Sequence, residues 1–276
     1  MKKKYDSGLV KNSRPVSLHL LLENDIKALT AFSEEELLDI DKFIHDSRKS
    51  LKAISAVLLL FKPQLDKLQY VHWRSYFKEI SKKYATLREP YIYIQTFNQV
   101  LEDLENTDKH NLLQLKNHLE LNYKLLVKEN GEIKETIGEF RKSTLEISAT
   151  IHSLEIIADL KLLKQRRWKI FKKTMQLFEK LTLASTAEDF HKFRKWSRYF
   201  YFQLKVFNLL GLEKVPLKEV KRLHKVTTYL GDEHDLQLFY QYLRKQHPNV
   251  FGIVEPFLLL KINKLRRKVM ELYPKV

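Results

Sequence analysis

Apolar residues recur along this chain mostly at spacings of three and four, the pattern of helices that each bury one face. Ser33-Glu34-Glu35-Glu36 reads as a capping box, so a helix is expected from there to about Phe61, with Pro63 closing it. A second stretch runs from about Leu65 to Leu87, and Pro90 is expected to turn the chain into a third helix. Leu101 to Lys128 continues the helical pattern with an interruption near Asn106-Thr107-Asp108, and Asn130-Gly131 is the clearest stop in the first half. Beyond it, Ile133, Ile137, Phe140, Leu145, Ile151, Leu154 and Ile157 hold helical phase, and the pattern continues to about Leu183, a length that implies a bend or a break.

The second half repeats this punctuation. Thr186-Ala187-Glu188-Asp189 caps a helix that ends around Leu210-Gly211, and Pro216 opens another that reaches Leu230-Gly231. A further helix continues to Gln246, and after His247-Pro248-Asn249 a last one covers most of Ile253 to Leu272. The chain therefore reads as all-α: a polar lead over 1–32, a first helical bundle over 33–183 and a second over 184–276. With only 6 Gly and 7 Pro in 276 residues, turn residues are too few for a fold of many short strands.

Sliding the chain by 146 residues tests the repeat. That offset carries His45 onto His191, Arg48 onto Arg194, Lys49 onto Lys195 and Lys52 onto Arg198, and then Arg88-Glu89 onto His234-Asp235 without a gap. Leu58/Leu204, Phe61/Phe207 and Gln95/Gln241 add identities, so the repeat is one of charge and helix phase. It predicts two pseudo-symmetric antiparallel helical bundles that face each other across a basic central cleft or channel.

Helix geometry gives the stripe its physical content. At about 100° per residue, positions i, i+3, i+4 and i+7 fall on about a third of the circumference, so His45, Arg48, Lys49 and Lys52 form one ribbon and His191, Arg194, Lys195 and Arg198 another. Lys205 lengthens the second ribbon. Like charges at these spacings repel and weaken a helix unless an anion neutralises them. Lys78 and Lys82, and Lys218, Lys221, Arg222 and Lys225, make further ribbons; those of Arg166, Lys169, Lys173 and of Lys261, Lys264, Lys268 read as solvated faces.

Charge narrows the partner. Fifty Lys and Arg against 34 Asp and Glu give a net charge of +16, which points to nucleic acid, anionic lipid or polyphosphate. The absence of cysteine excludes disulfides, thiolate metal sites and cysteine nucleophiles. Met1-Lys2-Lys3-Lys4 is followed by Tyr5-Asp6-Ser7-Gly8 rather than an apolar stretch, so no export signal is read. The longest apolar runs, such as Val57 to Phe61 and Phe257 to Leu260, fall far below the roughly 20 residues of a membrane span. A soluble, cytoplasmic protein without a membrane partner is expected.

Three segments resemble a known family: Ile44-His45-Asp46-Ser47-Arg48-Lys49-Ser50-Leu51-Lys52, Phe190-His191-Lys192-Phe193-Arg194-Lys195-Trp196-Ser197-Arg198-Tyr199 and Leu230-Gly231-Asp232-Glu233-His234-Asp235. They are similar to the CHAD domain, a conserved-histidine α-helical domain of bacteria and archaea whose members bind inorganic polyphosphate, and the similarity spans roughly residues 33 to 275. It implies two pseudo-symmetric helical bundles around a basic, histidine-containing channel. It also assigns polyphosphate contacts to His45, Arg48, Lys49, Lys52, Lys78, Lys82, Arg88, His191, Arg194, Lys195, Arg198 and His234. Glu89 stands where the family has Asp, and Ser55 and Tyr201 where a further Arg is common. The Glu-x-Glu-x-Lys motif of the triphosphate-tunnel domain that often accompanies the family is missing, so the resemblance is to a stand-alone member.

The expectation is a non-catalytic polyphosphate binder that needs no cofactor or metal, serving phosphate metabolism or targeting to polyphosphate granules. One alternative is a helical nucleic-acid binder, since any phosphate backbone is attracted by counterion release, although no groove-reading module is present. A second is a His-Asp metal phosphohydrolase built on His234-Asp235, which the surrounding Arg and Lys oppose electrostatically. Glu89 and Asp235 read as structural partners of basic neighbours, Tyr199, Phe200 and Phe202 as core, and His72, His110, His118, His152 and His247 as incidental.

Overall fold

A computed structural model of the chain describes residues 13–31, 39–103, 109–128, 131–153, 155–212 and 215–273. Among these, helices dominate, and the one extended element is an antiparallel ribbon of β1 (Ser13–Ser17) and β2 (Glu155–Asp159), paired from Ser13 with Asp159 to Ser17 with Glu155. The helices are α1 (Leu18–Thr30), α2 (Ile40–Phe61), α3 (Lys67–Asp103), α4 (Lys109–Lys128), α5 (Gly131–His152), α6 (Leu160–Phe178), α7 (Ala187–Leu209), α8 (Leu217–Gln246) and α9 (Pro248–Leu272).

Three elements depart from the sequence reading. The stretch over 1–32 is not merely a polar lead, since α1 buries Leu18, Leu22, Ile26 and Leu29 and packs on α2 and α5. Pro90 does not break the chain: α3 runs through it, because Tyr84 before it and Ile92, Phe97 and Val100 after it all enter the core, and that burial outweighs the roughly 3 kcal/mol that a lost backbone bond and a ring clash cost inside a helix. Gly231 likewise lies inside the continuous α8, flanked by buried Leu230 and Glu233. The long pattern from Ile133 breaks, as its length implied, into α5, β2 and α6, with Asp159 capping α6 through the backbone N–H groups of Lys161 and Leu162.

Other signals hold. Thr186 and Asp189 make a reciprocal capping box at α7, and Gly211 takes the left-handed φ of 62° that ends the turn after α7. The expected capping box at Ser33 and the break at Asn106-Thr107-Asp108 lie outside the described residues, as does Asn130; α2 is instead capped by Asp39, which accepts from the Lys42 N–H.

The repeated pairs α2–α3 and α7–α8 meet directly, α2 against α7 and α3 against α8, while α9 packs along α8. One apolar cluster joins α1, α2, α3 and α5 and takes Val206 and Phe207 from α7. A second joins α6, α7 and α8 and takes Leu59 from α2. A third joins the end of α3 to α4, α8 and α9. Assigned to the first bundle by sequence, α6 buries Ile170 with Phe190 and Phe193 of α7, so its packing belongs largely to the second. The halves are thereby held in one relative orientation, which is what sets their basic stripes opposite each other.

One buried ion pair braces the second half. Arg266 of α9 donates from Nε (2.9 Å) and Nη2 (2.8 Å) to Glu233 Oε1 of α8, and from Nη1 to the carbonyls of Leu183 (3.2 Å) and Ser185 (2.9 Å) ahead of α7. The guanidinium also lies 4.1 Å from the Phe190 ring centroid.

Candidate functional site

Helix spacing puts Arg48 and Lys52 on one side of α2, and Arg194 and Arg198 on one side of α7. The packing of α2 on α7 turns these sides into the walls of a cavity of about 380 Å3. His45, Lys49, Arg88 and Lys205 extend the basic lining, and Tyr201, Phe202, His224, Thr227 and Thr228 complete it. His45, Arg88, Ile92, Asp232 and Asp235 also line a second cavity of about 560 Å3, whose far wall carries Gln95, Thr96, Gln99, Lys261, Lys264 and Lys268. The shared residues join the two spaces into one basic passage between α2, α3, α7, α8 and α9.

The cations in its centre are poorly compensated. Among the described residues none of Arg48, Lys52, Arg194 and Arg198 makes a salt bridge within 4.0 Å. Arg48 Nη1 reaches only the Ser81 carbonyl at 3.5 Å, and the buried Nε of Arg194 has no hydrogen-bond partner. Burial, with Arg198, Arg194 and Arg48 as like-charged neighbours, pushes the Lys52 amine down to about 6. Burial and then Arg194 push Arg198 down to about 9, and Arg48 is lowered by burial and by Arg194. Asp235 is the chief counter-charge: burial raises its carboxyl, while Arg194, Lys52, Arg88 and Arg48 pull it back. Such a cluster stores repulsion that a bound anion relieves.

The repeat is visible in these couplings. Within the first half Arg48 feels Glu89, as within the second Arg194 feels Asp235, and Asp235 also acts across on Arg48 more strongly than Glu89 does. The remaining predicted contacts divide. His191 and His234 lie against each other, with ring centroids 4.9 Å apart and planes tilted by 44°, and line neither cavity. Burial lowers both imidazoles, with Arg194 next in effect, and His234 is pushed down to about 3. Lys78, Lys82, Lys195, Lys218, Lys221 and Lys225 are exposed and line neither cavity, and Arg222 is occupied by both Glu219 oxygens at 2.9 Å.

Sequence reasoning also missed contributors. Lys261, Lys264 and Lys268 read as a solvated face, yet α9 turns them into the passage. His224, Thr227, Thr228, Gly231 and Asp232 were overlooked, although their spacing of i, i+3, i+4, i+7 and i+8 marks a single face of α8. Tyr201, where the family commonly has Arg, lies against Lys205, whose ammonium sits 5.9 Å from the Tyr201 and Phe202 ring centroids and restores a cation to that wall. Among the described residues no group of three or more His, Asp or Glu is gathered as a metal site requires, and no helix is long and apolar enough to cross a membrane.

A two-unit helical fold around a basic passage is the architecture of one class of protein. The family model described as the CHAD domain matches residues 20–244, and the chain belongs to that family. In fold it is similar to PptA from Streptomyces chartreusis, with a TM-score of 0.71 and 14% identity over 94% of this chain and 99% of that one. It is also similar to the CHAD domain from the plant Ricinus communis, with a TM-score of 0.61 and 14% identity over 98% of this chain and 94% of that one. A search of curated proteins found no significant match.

Proposed function

We propose that this chain binds inorganic polyphosphate in the basic passage without catalysing its turnover. The observation that carries the reading is the convergence of Arg48, Lys52, Arg194 and Arg198, two from each repeat, around a recessed cavity in which Asp235 is their main counter-charge. A flexible anion with a charge on every unit relieves that repulsion along the whole passage, and the CHAD resemblance names polyphosphate as the anion. Catalysis of phosphoryl transfer calls for a metal or another device that stabilises charge on the transferring group and aligns its attacker. The described residues around the passage offer cations for binding, with no gathered metal ligands. Duplex nucleic acid carries its phosphates on a wide rigid cylinder, which suits an exposed ridge better than a recess of this size.

Titration with polyphosphates of defined length tests the reading. Long chains are expected to bind best, with affinity falling steeply as salt rises. Arg48→Ala combined with Arg194→Ala should weaken binding by more than about a hundredfold, from charged hydrogen bonds of about 1.5–3 kcal/mol each, at unchanged helix content by circular dichroism. Unchanged affinity removes the stripes from the site. Displacement of polyphosphate by duplex DNA at equal phosphate concentration overturns the choice of anion, and phosphate release with a stoichiometric divalent metal overturns the non-catalytic assignment. Granule association follows from the same binding and is read by imaging a tagged chain in polyphosphate-rich cells.

A further inference from the structure

Beside the basic cavity, between α1, α2 and α7, lies a larger cleft of about 810 Å3, and the two share Lys49, Phe202 and Lys205 as lining. Its chemistry differs from that of the passage. Leu21, Ala53, Val57 and Val206 give it an apolar floor, and Asp25 and Asp46 place carboxylates around it. An inorganic phosphate chain has no apolar surface to bury there and is repelled by both carboxylates, so the binding proposed above leaves this cleft unused.

We propose that the cleft and the adjoining basic cavity together form a site for a nucleoside polyphosphate, with base and ribose in the cleft and the phosphates passing over Lys49 and Lys205 into the cavity. This rests on the reading that the basic cavity takes phosphate. The cleft falls within the 300–1,000 Å3 typical of small-molecule sites, which pair apolar walls with a few placed polar groups. Phe202 stands at the junction, where a ring offers a stacking surface to any base, and the Lys205 ammonium lies 5.9 Å from its centroid, beside the path of the first phosphates. Asp25 is half-buried: burial raises its carboxyl, while Ser50, Lys205 and Lys49 pull it back. A carboxylate offers several acceptor sites, enough to take an exocyclic amine or a ribose hydroxyl. The acid that repels bare phosphate thereby selects the nucleoside end of the ligand.

Calorimetric titration of the full chain with ATP and with inorganic tripolyphosphate, without magnesium and at equal ionic strength, tests the assignment. ATP is expected to bind at least about tenfold more tightly. Ala28→Trp, at an exposed α1 position lining the cleft, fills it without touching the core, and Asp25→Asn removes the acceptor charge. Each should bring ATP down towards tripolyphosphate while tripolyphosphate binds at least as tightly as before. Equal wild-type affinities overturn the inference, as does an ATP advantage that survives both substitutions. Long-chain polyphosphate separates the two readings: its failure to bind the wild type removes the proposed function, whereas its binding without an ATP advantage removes this inference alone.

Discussion

Polyphosphate binding should take up a proton, and the group that takes it is Lys52. In the free protein burial and the surrounding guanidinium groups hold this amine at about 6, against an ordinary value of 10.5. At pH 7 it is therefore only about a tenth protonated. A polyanion beside it supplies the missing counter-charge and raises the amine back towards its ordinary range. The resulting uptake is about 0.9 proton at pH 7, so affinity should fall by almost tenfold per pH unit above pH 7 until the bound-state pKa is reached. Other groups act in the same direction, since His45 is held low by burial and Arg88, and the Asp235 carboxyl is already raised by burial. Calorimetry in buffers of different ionisation enthalpy counts the proton directly. Lys52→Arg keeps the charge and fixes it, so this variant should bind more tightly than wild type at pH 8 and lose most of the slope. Stability moves oppositely: between pH 6 and 10.5 the unfolded chain binds more protons than the folded one, so Lys52 makes the unliganded protein more stable as pH rises through that window. Proton uptake near zero at pH 7, or an unchanged slope in Lys52→Arg, refutes the reasoning.

Arg266→Ala should destabilise the protein by about 3–5 kcal/mol in urea denaturation, because it strands Glu233 as an unpaired buried charge; a loss under 1 kcal/mol would contradict the bracing role. Arg198→Met should raise the Tm of the unliganded protein by removing a desolvated cation from a like-charged cluster while weakening polyphosphate binding at least tenfold, and a lowered Tm at unchanged affinity would count against the stored-repulsion account. Between pH 6.5 and 3 the unfolded chain protonates a histidine that the folded chain keeps neutral at position 234, so stability falls as pH drops through that window. His234→Asn should flatten the Tm–pH curve there, and an unaltered curve would show that another group governs acid loss.

Much of the site was legible because the signal is local and repeated. His45, Arg48 and Lys52 recur at 146 residues' distance as His191, Arg194 and Arg198, and helix phase alone puts each set on one side. What phase does not encode is which side meets a partner helix. His191 belongs to the same ribbon as Arg194, yet it turns to His234 and away from the cavity. Lys264 was read as solvent-facing because nothing within α9 distinguishes a wet face from a wet passage; the distinction comes from α3 and α8 standing opposite. The fold follows the same rule. Capping signals local to Thr186 and Pro216 are correct, whereas Pro90 and Gly231 are overridden by apolar neighbours that only the packed bundle brings together.

The offset that reveals the repeat also shows where it is broken, and the breaks give the passage a direction. His45, Lys49 and Arg88 of the first half line it, whereas their counterparts His191, Lys195 and His234 do not. The second half instead contributes the three lysines of α9 and, on α8, His224, Thr227 and Thr228, whose counterparts Lys78, Ser81 and Lys82 line neither cavity. One end therefore opens past Lys49 and Lys205 onto an apolar cleft edged by Asp25 and Asp46, and the other onto a wall of glutamine, threonine and lysine. A symmetric pair of stripes suits a chain that is the same in both directions. An asymmetric passage distinguishes the two ends of what lies in it, and an anion with one apolar end fits that asymmetry better than one with none.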